Sequence, residues 1–202
     1  MANADRPMGL KPVKMANGSP WNGQVTMYYH ASGGGAVYKG SCVKHAGSGD
    51  TLGQTPSCAL AGATDQILGV AVGFSNTKDV ALYTTNLEKV YAASTDTCYI
   101  AVVDSPDVIF EAQEDNGSSA HMEAADIGQN IVLANSSAGS TTTGLSTAEL
   151  DSDGNAAGYA SAPLLVVGVV DRPDNTMGSS ADYTKWLVKI ADHHFQRPTT
   201  GI

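Results

Sequence analysis

Glu111, Glu114 and Asp115 bring carboxylates close together in the chain. In a glycosidase two such groups flank the bond that breaks. At this spacing Glu111 and Glu114 fall on opposite faces of a strand, and no aromatic platform for a sugar surrounds them. They read as a solvated strand end. Asp151-Ser152-Asp153-Gly154-Asn155 carries part of a calcium-loop pattern, but its glycine comes at the fourth place and the distal glutamate is missing. It reads as a turn rich in Asx residues. Cys42, Cys58 and Cys98 are odd in number, which rules out a complete internal disulfide framework. They lack the close pairing of a zinc site and read as buried free thiols. His45 follows Cys42 closely, with no recognisable nucleophile context. His193 and His194 are adjacent, so on a strand they point apart and share no metal easily. They read as surface or interface histidines. Gly33-Gly34-Gly35 lacks the Lys-Ser/Thr ending and following helix of a phosphate loop. No G-x-S-x-G elbow and no dinucleotide fingerprint occurs. No catalytic constellation emerges, so the chain reads as non-enzymatic, with no catalytic residue, metal or cofactor expected.

The elements that would position these groups are nearly all strands. Residues 164–175, LLVVGVVDRPDN, hold the most apolar run in the chain. A run this short, closed by Asp171-Arg172-Pro173-Asp174, reads as a strand buried on both faces around which the others are arranged. Pro173 holds Arg172 extended and ends the strand nearby. Further strands are expected at 24–30, 36–44, 67–74, 79–84, 88–92, 98–103, 108–113, 127–134 and 183–190. The first two could form a hairpin. The strands 98–103 and 108–113 are linked by the turn at Asp104-Ser105-Pro106-Asp107. In the last strand Trp186, Val188 and Ile190 share an apolar face. One short helical turn is expected at 120–126, with Ser118 and Ser119 as caps.

Three regions stand apart from this pattern. Residues 1–23 form an extended N-terminal arm, broken by Pro7, Pro12 and Pro20. Its spaced apolar residues Met8, Leu10, Val13, Met15 and Trp21 imply that it lies on something, either its own domain or a neighbouring subunit. Residues 24–195 form a single all-β domain, a β-sandwich, jelly roll or barrel-like fold. Within it, the polar 135–158 segment reads as a long exposed excursion. Residues 196–202 are a tail.

Composition narrows the classes of function. Only 15% of the 202 residues are charged and the net charge is −9. The Lys and Arg residues are scattered, with no basic run to neutralise phosphates, which argues against nucleic acid and anionic membranes as partners. No segment has the apolar length of a membrane-spanning helix. The first residues lack the apolar stretch of a signal peptide, so synthesis in a cytoplasm is expected.

Several stretches, taken in order, resemble one family. They are Pro7-Met8-Gly9-Leu10-Lys11-Pro12-Val13, the turn Asn17-Gly18-Ser19, and Ile67-Leu68-Gly69-Val70. After these come residues 104–113, DSPDVIFEAQ, Asp126-Ile127-Gly128-Gln129-Asn130, and residues 167–175, VGVVDRPDN. The closing Val188-Lys189-Ile190-Ala191-Asp192-His193-His194 completes the set. Together they are similar to the head-stabilising cement, or decoration, proteins of tailed bacteriophages. The resemblance implies a virion structural protein on the capsid exterior, made in the host bacterial cytoplasm. Its partner would be the major capsid protein, bound where neighbouring capsid subunits meet. Self-association as a homotrimer is preferred to a dimer. On this reading Met8, Leu10, Pro12, Val13, Trp21 and Arg172 are the expected interface residues. Arg172 is expected chiefly to pair with a neighbouring acid and fix its turn. The competing classes are a phage surface adhesin or glycan-binding module and, less favoured, a hydrolase. An adhesin would expose aromatics in its long loops, and Tyr159 is the only aromatic between Phe110 and Tyr183.

Overall fold

A computed structural model describes residues 3–78, 89–117, 121–153, 162–178 and 182–196. The fold is all-β. Five strands close into a barrel: β2 (Thr26–His30), β3 (Cys42–Gly49), β4 (Pro56–Leu60), β5 (Gly69–Ser75) and β6 (Cys98–Val103). Around the barrel the order is β2-β4-β3-β5-β6, with β6 closing onto β2. Five more strands form an open sheet: β1 (Lys11–Met15), β7 (Val108–Gln113), β8 (Asn130–Ile131), β11 (Leu164–Val169) and β12 (Lys185–Ile190). Their order is β1-β7-β12-β11-β8. The short strands β9 (Leu133–Ala134) and β10 (Glu149–Leu150) pair with each other.

The core has two clusters, one inside the barrel and one between the barrel and the sheet. Inside the barrel, Tyr28, Val43, Leu68, Phe74, Ile100 and Val102 pack together. Outside it, Cys42, Val70 and Val103 meet Phe110, Leu164, Trp186 and Val188 from the sheet. Strand β5 therefore contributes to both cores, and all but one of its residues are buried. That explains the continuous apolar run of 67–74, since alternate residues of a strand point to opposite faces and both faces here need apolar side chains. Trp186, Val188 and Ile190 are all buried, as their alternation predicts.

The strand that the sequence places at the centre is not doubly buried. In β11, Leu164 and Val166 enter the core, while Val167 is 38% exposed. Its β8 neighbour is only two residues long. Strands β7 and β12 hold the middle of the sheet instead, and every residue of β7 is buried.

Other expectations change for topological reasons. Strands β2 and β3 do not form a hairpin: β2 pairs in parallel with β4 and antiparallel with β6. The linked strands β6 and β7 belong to different layers, so the Asp104–Asp107 turn carries the chain from barrel to sheet. The helical turn is a single 3₁₀ turn at Ala124–Asp126, where the Glu123 amide donates to the Asp126 carboxylate at 2.7 Å. The expected caps Ser118 and Ser119, the strand at 79–84 and the start of the strand at 88–92 lie outside the described residues. Ala92 is described and pairs with Val37 across an isolated bridge.

The 135–158 segment is not an exposed excursion over its described part. Ser146, Ala148, Leu150 and Ser152 are buried. The Lys39 amide donates to Gly144 and the Ser146 amide to Lys39, each at 2.9 Å. A side chain at Gly139 would overlap the Tyr38 ring. Here the small residues serve close packing rather than solvation; residues 154–158 lie outside the described part.

Candidate functional site

The arm is part of the chain's own fold along its described length. Strand β1 adds to the edge of β7, with Lys11 opposite Glu111 and Met15 opposite Val108. Ahead of it, the backbone crosses the barrel so closely that only glycines fit. The Leu10 amide donates to the Gly40 carbonyl at 2.9 Å. A Cβ on Gly9 would lie 2.3 Å from that carbonyl oxygen, and one on Gly40 would lie 2.1 Å from the Met8 oxygen. Both glycines also have positive φ, +67° and +89°. Further toward the N-terminus, the Asn3 side chain donates to the Thr176 and Asp182 carbonyls and accepts from the Thr176 amide.

Of the residues singled out in the sequence, Met8, Leu10 and Pro12 come together. They line one groove of about 180 Å3 with Lys11, Lys39 and Leu145. Leu10 is itself in the core, so it floors the groove rather than presenting a free side chain. Val13 is 38% exposed in the middle of β1, outside the groove lining. The Trp21 amide donates to Val13, and its side chain is half-buried against the core. Arg172 is not at the groove. It lies over the outer face of the sheet, with Nη2 2.8 Å from Glu111 Oε1 and Nη1 3.4 Å from Oε2.

That outer face carries a polar cluster built from segments far apart in sequence. Asn175 bridges two strand ends: its side chain donates to the Val170 and Lys185 carbonyls and accepts from the Lys185 amide. Gln113 accepts from the Arg6 amide at 2.9 Å and donates to Asp5 and Glu149. Burial holds the Glu149 carboxyl above its ordinary range. The cluster thus ties the arm, β7, β12 and the 171–175 turn together. Gln113 and Asn175 carry this pattern, yet read alone in the sequence they are a strand residue and a turn residue.

The acids do not form a solvated strand end. Glu111 is buried beneath Arg172, and Glu114 is fully buried. Glu114 accepts from Trp186 Nε1 at 2.9 Å and from the Met122 amide at 3.3 Å. Desolvation outweighs these bonds and pushes its carboxyl up to about 7. Asp115 caps Ser152, accepting from both its amide and its hydroxyl. Strand β7 ends with its acids turned inward because Trp186 and the 150–152 segment close over that end.

The histidines differ as well. His193 is fully buried, not at the surface. Its imidazole accepts from the Phe195 amide at 3.1 Å, and burial pulls its pKa down to about 4. His194 and His45 have ring centroids 4.3 Å apart, and the exposed Phe195 packs edge-on to both. His30 lies inside the barrel, opposite Cys58 on one side and Cys98 on the other. All three cysteines are buried free thiols, as expected from their number. Among the described residues, no group of three His, Cys, Asp or Glu is arranged to hold a metal ion.

Chemically, the arrangement braces the arm, the sheet and the 171–175 turn against one another. Its carboxylates are taken up by Arg172, Trp186 and Gln113, while the groove beside them stays open. Comparison of the chain with family models, with curated proteins and with solved structures gives no match.

Proposed function

We propose that this chain is a non-enzymatic capsid cement protein of a tailed bacteriophage, bound to the outside of the shell where major capsid subunits meet. One observation carries the reading. The stretches that resemble the cement family lie far apart in sequence, yet residues from them meet on one face. Arg172 from 167–175 pairs with Glu111 from 104–113, and Asn175 holds the Lys185 backbone opposite Gln113, beside the 7–13 segment of the arm. The cluster braces the arm from beneath and leaves Met8, Pro12 and Val13 partly accessible on it. A shell strained by packaged DNA gains from any protein that bridges its subunits, and repeated contacts in a homotrimer add through effective concentration.

The test is to add purified protein to expanded capsids that lack it and to image them by electron microscopy. Ordered density at capsomer junctions is expected, with trimers in solution by light scattering. Capsids without ordered occupancy would overturn the reading. Because Leu10 belongs to the core, the arm is best probed by Met8→Ser and Val13→Ser, which spare the fold, rather than by deleting it.

A further inference from the structure

We propose that the groove between the arm and the barrel receives an extended acidic segment of a partner protein. The segment's apolar side chains would rest on Met8, Pro12 and Leu145, and its carboxylates would reach Lys11 and Lys39. This deepens the capsid reading by naming what the surface grips.

Size is the first argument. At about 180 Å3 the groove is well below the several hundred Å3 of a small-molecule site. It suits one or two side chains of a longer segment. Its walls are apolar, and Leu145 on the rim is 40% exposed.

Charge is the second. Elsewhere in the described chain four cations have an acid: Lys44 pairs with Asp65, Lys89 with Asp96, Lys189 with Asp107 and Arg172 with Glu111. Lys11 and Lys39 form no ion pair among the described residues. The acid directly opposite Lys11 across the strands is Glu111, and Arg172 engages both of its oxygens. Acids outnumber bases 20 to 11 in the chain. The groove is lined by two cations and by no acid, a local reversal of the protein's own sign. An acidic segment would be repelled by most of this surface and held at the groove, which fixes where it docks.

Rigidity is the third. The β1–β7 ladder holds the backbone of Lys11, and bonds to Gly144 and Ser146 hold that of Lys39. Both cations stand on backbones fixed before any partner arrives, which lowers the ordering cost of binding.

The experiment titrates the full chain with a fluorescent peptide of glutamates carrying two spaced leucines, followed by anisotropy. Saturable binding is expected. The paired reversals Lys11→Glu and Lys39→Glu should weaken it about tenfold or more, as should Leu145→Ser, while Lys78→Glu should leave it unchanged. Peptides with serine in place of leucine, or lysine in place of glutamate, should not bind. Absence of saturable binding, or binding indifferent to the paired reversal, would overturn the proposal. So would self-association that the paired reversal abolishes, because the occupant would then be a second copy of this chain. Capsid occupancy of the same variants separates the two readings. Wild-type protein that fails to occupy capsids removes the cement function and leaves the peptide result to decide the groove. Wild-type and doubly reversed protein that occupy capsids equally remove the groove's role and leave the cement function standing.

Discussion

Arg172 grips Glu111 through both terminal guanidinium nitrogens, at 2.8 and 3.4 Å, across 61 residues of chain. Glu111 is buried and Arg172 is 38% exposed, so the pair is half in water. Its contribution lies less in Coulomb attraction than in not leaving Glu111 buried without a partner. Arg172→Ala is expected to destabilise the protein by about 1–3 kcal/mol, discounted for the exposed side of the pair. The double variant Glu111→Leu/Arg172→Met should recover most of that loss. Urea denaturation of the two single variants and the double variant, read as a double-mutant cycle, checks it.

The Gly9–Gly40 crossing admits no side chain, and both glycines have positive φ. Gly9→Ala and Gly40→Ala should each destabilise the protein by about 2 kcal/mol or more. The larger sign of the damage is local. Hydrogen exchange at the Leu10 amide, bonded to Gly40, should quicken far more than exchange at β12.

Glu114 and His193 give the stability opposite pH dependences. The Glu114 carboxyl is held near 7 in the folded chain against 4.5 when exposed. The unfolded chain releases that proton first, so stability falls as pH rises from about 4.5 to 7. His193 is held near 4 against 6.5. The unfolded chain takes up that proton first, so stability falls as pH drops from about 6.5 to 4. Glu114→Gln should remove the first slope, gaining on wild type by up to about 3 kcal/mol between acid and neutral pH. His193→Gln should flatten the acid side. Thermal melts across that range separate the two.

The thiols of Cys42 and Cys58 are pushed up to about 12 and that of Cys98 to about 11, chiefly by burial. Thiolates are the reactive form, so the native protein should not react with a chromogenic thiol reagent at neutral pH. In denaturant all three should react. Cys58 and Cys98 both face His30 from opposite neighbouring strands. All three are free and buried in the folded chain, so a water-borne oxidant should leave three free thiols in the folded monomer.

Local pattern and tertiary structure divide the account of this protein between them. The alternation of Trp186, Val188 and Ile190, the apolar runs at 67–74 and 98–103, and the stop at Pro173 are properties of neighbouring residues. They determined that the chain is all-β, where most strands run and that the cysteines are buried. Which strand has two covered faces is not such a property. Residues 164–170 are as apolar as 67–74, but β5 stands between the barrel interior and the sheet and needs apolar side chains on both sides, as β11 does not. Burial of Glu111, Glu114 and His193 follows the same logic. Each is polar in sequence and is drawn inside by a partner far along the chain: Arg172, Trp186 and Ile67. The arm's choice of its own domain was equally undecidable from its prolines and spaced apolar residues. It rests on Gly9 meeting Gly40 and on Gln113 receiving Arg6, contacts that exist only once the sheet and barrel are stacked.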